Sequence, residues 1–288
     1  MMFSSREQSS SASNTVLEKQ RVHRRQAFTL IEIMVVITII ALLIGLLIPA
    51  VQAVMANVRV ARVRSEISQL EDALADFKAA NGVYPPSSIT LHKTKAGWDG
   101  DQASKAKLLQ VWPDFDLNST SGFWADGTTL NGAECLIFFL GGVEKTAGSK
   151  NLVGFSSDTS NPFDSNGSNR KGPYFEFDTG RLIQTQTGIY TYNDSMPGQT
   201  APFVYANSSE GRGYKISDVS AYLSAGPYRQ ANGSYWKKES IQIIAPGFDF
   251  TYGTGGTFNP DASDGGLGTR QATEGDNITN FHDSQLKP

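Results

Sequence analysis

The longest apolar stretch of the chain covers residues 33–51, where Thr38 is the only polar side chain. A helix that crosses a membrane needs about 20 predominantly apolar residues, so this stretch is long enough for one span. Glu32 comes directly before it. Because a carboxylate is costly inside a bilayer, an ionisable group at this place suggests a function and a partner.

Beyond this stretch the apolar positions become one-sided and follow the three- and four-residue spacing of an amphipathic helix. They are Val60, Val63, Ile67, Leu70, Leu74 and Phe77. The pattern predicts one long helix from about residue 28 to residue 80, with a membrane half over 28–56 and an amphipathic half over 57–82. Asn81-Gly82 supplies a stop signal, and Pro85 and Pro86 prevent the helix from continuing.

Gly45 and Pro49 weaken the membrane half of this helix. Proline lacks the N–H that would bond to the carbonyl of residue 45, where glycine already lowers helix stability. The pair predicts a kink or local melting. The alternative is a proline that a membrane helix simply tolerates.

Residues 83–288 are expected to form a separate globular α+β domain. A short helix is predicted at residues 103–111 of a loop-rich connection. Strands are predicted at residues 174–177, 182–192, 203–205 and 241–244, with turn residues between them. Residues 134–140 fit either a strand or a buried helix, because periodicity does not distinguish the two.

The net charge of −3 over 288 residues is unevenly distributed. Residues 1–27 carry five basic and two acidic side chains and are rich in serine, so they are expected to be a leader that is removed. A basic leader before an apolar run favours a cytoplasmic N-terminus. The remainder is acidic and has no basic cluster, which argues against nucleic-acid binding.

The chemistry-bearing side chains do not suggest catalysis, and we expect no enzyme activity. The three histidines, His23, His92 and His282, have no metal-ligand spacing. Cys135 is the only cysteine and lies in an apolar segment, so it is expected to be a buried small hydrophobe.

The start of the apolar run resembles the N-terminal signature of type IV pilin-like proteins, which include pilins and the pseudopilins of type II secretion. That signature is a basic leader, a small residue and then Phe-Thr-Leu-Ile-Glu before a hydrophobic helix. The matching positions are Arg24, Arg25, Ala27, Phe28, Thr29, Leu30, Ile31 and Glu32. Most members have glycine where this chain has Ala27. A second similarity to the major pseudopilins is the helix end followed by Gly82 and Tyr84-Pro85.

The resemblance implies cleavage by a prepilin peptidase between Ala27 and Phe28, methylation of the Phe28 amine, and pairing of that amine with Glu32 of a neighbouring subunit. It implies a fold in which a long N-terminal helix packs on an antiparallel sheet with long loops. It also assigns Gly45 and Pro49 to a helix segment that can extend in assembled filaments. The implied function is a structural filament subunit, with a type II secretion pseudopilin favoured.

The resemblance also implies the location and partners of the protein. The chain would cross the cytoplasmic membrane once, with its C-terminal domain outside the cytoplasm, and would assemble into a helical homo-oligomer. The implied partners are prepilin peptidase, an assembly-platform membrane protein, a cytoplasmic ATPase and minor pilins or pseudopilins.

Four aspartates in glycine-rich C-terminal segments are the candidate metal ligands, with calcium as the possible ion: Asp249, Asp261, Asp264 and Asp276. Their spacing is not that of an EF-hand, and the sequence alone favours a solvated, turn-rich loop over a metal site. Residues 245–250 and 276–281 are similar to the calcium-binding end of major pseudopilins, with Ala245 and Phe250 as departures.

Two alternatives remain for the N-terminal segment. Residues 51–53 offer small side chains for an ordinary signal peptidase, although the apolar run is long for a signal peptide. The chain could also be a membrane-anchored extracytoplasmic binding module or enzyme that uses the helix only as an anchor.

Overall fold

The computed structural model describes residues 28–167 and 169–287, so the predicted leader and Ala27 lie outside the described residues. The predicted long helix is confirmed as α1, Leu30–Asn81, which stays helical through Pro49 without an interruption. The predicted local melting at Gly45 and Pro49 is therefore not seen in this single copy. Two compact units divide the chain, Met1–Gln52 and Ala53–Pro288.

The described part of the first unit is an apolar helix whose residues are all exposed. Within the described residues, α1 is the one helix that is long and apolar enough to cross a membrane, judged by length and composition.

The second unit contains the outer half of α1 and many short elements. The further helices are α2 (Lys95–Gly100), α3 (Gln102–Val111), α4 (Gly132–Gly141) and α5 (Gln271–Glu274), with 3-10 turns at Ile216–Asp218 and Gly268–Arg270. The strands are β1 (Ile89–Leu91), β2 (Thr128–Leu130), β3 (Phe155–Ser156), β4 (Arg170–Lys171), β5 (Leu182–Gln184), β6 (Tyr190–Tyr192), β7 (Val204–Asn207), β8 (Gly226–Arg229), β9 (Ile241–Ala245), β10 (Gly255–Thr257) and β11 (Ile278–Thr279). The α+β class and the helix predicted at residues 103–111 are confirmed.

The strands form small sheets instead of one wide sheet. The largest has the order β11-β9-β7 and is antiparallel throughout, with Val204 opposite Ile244 and Ile278 opposite Ala245. Three further antiparallel pairs join β1 to β2, β3 to β4 and β5 to β6, while β8 and β10 form a parallel pair.

The apolar stripe of the outer half of α1 is buried, as its spacing predicts. Val63, Leu70, Leu74 and Phe77 are completely covered within the main core. Phe77 packs edge-on against Phe139 of α4, with ring centroids 5.8 Å apart. The outer half of α1 therefore packs against a helix as well as contributing to a core shared with the sheets.

The ambiguous segment at residues 134–140 is helical and lies at the centre of the domain. All ten residues of α4 are buried, and the helix packs against β6 and β7. A capping box starts it: Glu134 N donates to Asn131 Oδ1 at 3.2 Å and Asn131 N donates to Glu134 Oε2 at 3.0 Å. Gly132 approaches β7 so closely that a Cβ atom would overlap the Tyr205 carbonyl.

Two strand predictions need correction. Residues 174–177 form no strand. Their aromatic rings serve packing instead: Tyr174 contacts Phe77 at 5.2 Å between centroids, and Phe175 contacts Phe177 at 4.7 Å. Residues 182–192 form two short strands because a turn intervenes, in which Thr185 and Gly188 are hydrogen-bonded and Gly188 has φ of +83°.

Candidate functional site

The Thr29 and Glu32 side chains form a reciprocal cap at the start of α1. Both the backbone N–H and the hydroxyl of Thr29 donate to Glu32 Oε2 at 2.7 Å, and Glu32 N donates to Thr29 Oγ1 at 3.3 Å. This is the Thr-x-x-Glu capping box, which satisfies backbone donors that the first helical turn leaves unpaired. Sequence reasoning assigned no role to Thr29, although the spacing from Thr29 to Glu32 is itself the signal for a cap.

The cap fixes one carboxylate oxygen of Glu32 and leaves the other available. Among the described residues, no hydrogen bond reaches Glu32 Oε1. The neighbouring Phe28 is 80% exposed, and Glu32 itself is exposed on the helix surface. The arrangement can therefore accept a hydrogen bond or a positive charge from outside the chain without breaking the helix cap.

The surface that surrounds Glu32 is apolar. The exposed large side chains of this helix are Leu30, Ile31, Ile33, Met34, Val35, Val36, Ile37, Ile39, Ile40, Leu42, Leu43, Ile44, Leu46, Leu47, Ile48, Val51, Val54, Met55 and Val58. Contiguous apolar surfaces of this extent mark membrane or protein contacts. The Thr38 hydroxyl donates a hydrogen bond to the Met34 carbonyl oxygen at 2.7 Å, so it needs no donor-bond partner outside the helix.

The other two assembly residues lie on the same exposed helix. No atom lies within 4 Å of the position that a Cβ of residue 45 would occupy. A side chain at Gly45 would therefore clash with nothing in a single copy. Pro49 lies inside the helix with helical residues on both sides. Their predicted roles concern assembled copies and remain predictions.

Asp249 and Asp276 lie together in the C-terminal region. Asp276 Oδ2 accepts hydrogen bonds from Phe248 N at 2.6 Å and Asp249 N at 3.1 Å. Burial raises the pKa of Asp276 above its usual value, in part offset by these bonds. Gly247, with φ of +70°, brings the turn directly onto the Asp276 carboxylate. One oxygen of Asp276 therefore already holds this turn.

Asp261 and Asp264 belong to a different turn. Asp264 accepts from Gly266 N at 2.9 Å and from Gly268 N at 3.1 Å, and these bonds lower the pKa of its carboxyl. Asp261 N donates to Asn259 Oδ1. Over residues 28–167 and 169–287, no group of three or more acidic, histidine or cysteine side chains could hold a metal ion. The four aspartates are thus not gathered into one site, and calcium binding remains a prediction.

A buried acid that sequence reasoning missed organises the same region. Glu274 is completely covered, and its Oε1 accepts from Thr254 N at 2.7 Å and Gly255 N at 3.0 Å. Its Oε2 accepts from Arg270 at 2.7 Å and from the Tyr228 hydroxyl at 3.1 Å. No motif in the sequence marks Glu274, because its partners come from segments that only the fold brings together.

An open cleft of about 370 Å³ lies between the segment that follows α1, helix α3 and the loop after β7. Its lining mixes tyrosines with both signs of charge, including Tyr84, Lys107, Arg212, Lys215 and Asp218. Asp218 is buried and accepts a hydrogen bond from Ser87 Oγ at 2.7 Å. The cleft is large enough for a small ligand.

Comparison with known proteins identifies the N-terminal motif. Residues 22–48 match the family model described as the prokaryotic N-terminal methylation motif. No curated protein and no solved structure matches the chain. The match spans the predicted cleavage point, the Thr29–Glu32 cap and most of the apolar run. The chain thus carries a prepilin-type N-terminal motif on a long apolar helix, an arrangement consistent with a type IV pilin-like protein.

Proposed function

We propose that this protein is a structural subunit of a type IV pilus-like filament, and specifically a pseudopilin of a type II secretion system. The N-terminal methylation motif supports a pilin-like substrate of prepilin peptidase. The similarities at Tyr84-Pro85 and in the C-terminal region support the pseudopilin assignment. The single observation that carries the proposal is the capped but half-free carboxylate of Glu32 on an exposed apolar helix.

Cleavage before Phe28 would create a new amine one helical turn from Glu32. Such an amine is largely protonated near neutral pH, since its reference pKa is about 7.7–8.0. Glu32 Oε2 is held by Thr29, so Oε1 would receive the amine of a neighbouring copy. In the low dielectric of a packed helix bundle this charge pairing is stronger than in water and would define the axial register of the two helices.

The apolar surface of α1 would be buried in two different environments, one after the other. Before assembly, the lipid of the cytoplasmic membrane would cover it, with the C-terminal domain outside the cytoplasm. After extraction, other copies of the helix would cover it. Copies related by a head-to-tail contact that does not close produce a filament. Extraction would require an assembly platform and an ATPase, and minor subunits would join the same filament.

The experiment that tests this function compares Glu32→Gln with wild type in cells that carry the assembly system. Glutamine keeps the shape and an acceptor for the Thr29 cap but removes the charge that attracts the amine. We expect Glu32→Gln protein to remain in the membrane and to be absent from sheared filaments. Thr38→Val is the matched control, because it alters a polar side chain of the same helix without touching the carboxylate.

Mass spectrometry of the membrane-bound protein completes the test. A mature chain that begins at methylated Phe28 supports the filament function. A mature chain that begins near residue 54, or Glu32→Gln protein that enters filaments normally, contradicts it.

A membrane-anchored binding module is the second candidate, and the cleft lined by Tyr84, Lys107 and Asp218 is the observation that favours it. Under this function the helix is only an anchor, so Glu32→Gln would leave activity unchanged and filaments would be absent from wild-type cells. Lys107→Ala would then impair function, whereas a filament subunit would tolerate it.

A further inference from the structure

The outer half of α1 carries an exposed polar stripe on the side opposite its packing. Its members recur at spacings of three and four, which places them on one helix face. They are Arg62, Ser65, Gln69, Asp72 and Asp76, and all five are exposed. The stripe is basic at its N-terminal end, neutral in the middle and acidic at its C-terminal end. Arg59 is also exposed and extends the basic end by one turn.

The charges of this stripe have no partner within the described part of the chain. No ion pair or side-chain hydrogen bond involves Arg62, Asp72 or Asp76 among residues 28–167 and 169–287. The acids that face the domain behave differently. Glu66 pairs with Arg181 at 3.0 Å, and Glu71 pairs with Lys237 at 3.5 Å and accepts from Asn280 at 2.7 Å. Unlike these acids, Asp72 and Asp76 form no side-chain hydrogen bond or ion pair with the described residues.

We propose that this stripe docks a second copy of the chain, parallel to the first and displaced along the helix axis so that Arg62 of one copy meets Asp76 of the other. Fourteen residues separate these positions, which corresponds to a displacement of about 21 Å at 1.5 Å per residue. At the same displacement Arg59 lies within about 2 Å of the axial level of Asp72. One offset therefore satisfies two charge pairs. The inference rests on the filament function proposed above, and it adds the surface and the offset of one contact.

The charge pattern favours this arrangement over a parallel pair without displacement, and the shared membrane anchor favours it over an antiparallel pair. In a parallel pair without displacement each charged residue would face the same residue of the other copy. Arg62 would then meet Arg62 and Asp76 would meet Asp76, which is repulsive. An antiparallel pair would match the charges equally well. Copies anchored through the same N-terminal helix in one membrane share one direction, so the staggered parallel pair is the arrangement that remains. Repeating the offset adds copies without closure.

Charge reversal in the filament-forming system tests the contact. We expect Arg62→Glu to lower the filament yield by about tenfold, because it places like charges at the contact. Asp76→Arg should do the same. Combining these two substitutions should restore most of the yield, since the charges at positions 62 and 76 are exchanged while Arg59 and Asp72 keep theirs. Lys171→Glu, a reversal on an exposed residue of β4 that is far from the helix in sequence, is the matched control and should leave the yield unchanged.

Cysteine cross-linking in isolated filaments measures the direction and offset. The native Cys135 is buried, so only the introduced cysteines are accessible to the cross-linker. The linker is a short bismaleimide that spans about 8–10 Å, the separation of packed helix axes. The double variant Arg62→Cys with Asp76→Cys should give a ladder of covalent multimers, and each single variant should give none. Gln69→Cys lies midway, so it would form dimers only in a parallel pair without displacement or in an antiparallel pair.

The outcomes separate this contact from the filament function itself. A ladder from the double variant, together with rescue by the exchanged charges, supports the staggered contact. Filaments that form normally with Arg62→Glu, or dimers from Gln69→Cys, overturn the contact while the filament function stands. Wild-type cells that produce no filament overturn both.

Discussion

Glu66 of α1 and Arg181, directly before β5, form an ion pair in which Arg181 Nη1 lies 3.0 Å from Glu66 Oε1 and 3.1 Å from Oε2. Ser195 N donates to the same carboxylate at 3.2 Å. The guanidinium also lies over the Tyr192 ring, 4.4 Å from its centroid. The pair is largely covered, so solvent screens the attraction between the two charges only weakly. The pair therefore holds the outer half of α1 against the β5–β6 hairpin.

Replacement of Glu66 by glutamine should lower the free energy of unfolding by about 1–2 kcal/mol, because charge-assisted hydrogen bonds become neutral ones. For a domain of this size the melting temperature should fall by about 2–4 °C per kcal/mol. Glu239→Gln is the control. The side chains of Lys238 and Glu239 are mostly exposed, so that variant should melt within about 1 °C of wild type. Equal melting of both variants would show that the Glu66 pair does not stabilise the fold.

Asp194 should make stability depend on pH. Its carboxyl is buried, and burial raises its pKa to about 6 from 3.8. Between these values the folded protein holds a proton that the unfolded chain releases, so the contribution of Asp194 to stability falls as pH rises from about 4 to about 6 and is constant above.

Asp194→Asn removes this titration. The free energy of unfolding of the variant, relative to wild type, should rise by about 2 kcal/mol between pH 4 and pH 6.5 and then level off. Urea unfolding at a series of pH values measures the difference. A difference that stays constant with pH would show that Asp194 titrates as an ordinary exposed acid.

The capping role of Glu32 and its proposed role as an amine acceptor can be separated through Thr29. Thr29→Val removes the hydroxyl but keeps the backbone N–H bond and the Glu32 charge, so the helix start should lose about 1 kcal/mol while the amine acceptor remains. We expect processed Thr29→Val protein to enter filaments, in contrast to Glu32→Gln. The comparison uses only chains that begin at Phe28, because the substitution lies close to the cleavage point. If both variants are excluded from filaments, assembly requires the Thr29 hydroxyl of the cap as well as the Glu32 charge, and the two roles are not separable in this way.

Calcium should stabilise the domain that begins at about residue 57 if Asp249 and Asp276 contribute ligands. A ligand at about 100 times its dissociation constant stabilises the folded state by about 2.7 kcal/mol. We expect a higher melting temperature in calcium than in chelator, and a smaller rise for Asp276→Asn. Asp261→Asn tests whether the second turn contributes. Identical melting of wild type in calcium and chelator would exclude the site.

Local signals in the sequence were sufficient for the long helix. Val63, Leu70 and Phe77 repeat with the helical period, and a stripe of that kind must be covered whatever the rest of the chain does. The segment of α4 shows the limit of the same reasoning. Every residue of α4 is buried, so the segment has no polar face from which a period could be read. The Asn131 and Glu134 capping pair was the one available signal for its start.

Other features depend on partners that are distant in sequence. The aromatic residues from Tyr174 to Phe177 have strand-like composition, but their rings fill the space beside Phe77 and each other, and their segment forms no strand. Glu274 could not be assigned from sequence because Thr254, Tyr228 and Arg270 converge on it only in the fold. The Thr29–Glu32 cap lies within one helical turn, so the spacing of its two residues is visible in the sequence.

The burial of α4 on all sides also constrains the order in which the domain can form. Its neighbours Phe77, β6 and β7 lie on both sides of it in the sequence, and β7 is itself completed by β9, which ends at Ala245. If the domain crosses the membrane as proposed above, the segment from Cys135 to Leu140 stays exposed until most of the domain has emerged. Contacts between residues so distant in sequence form slowly, and the exposed apolar segment is prone to aggregate in the meantime. Under the proposed filament function, we therefore expect delivery of the protein to depend on protection of the emerging domain.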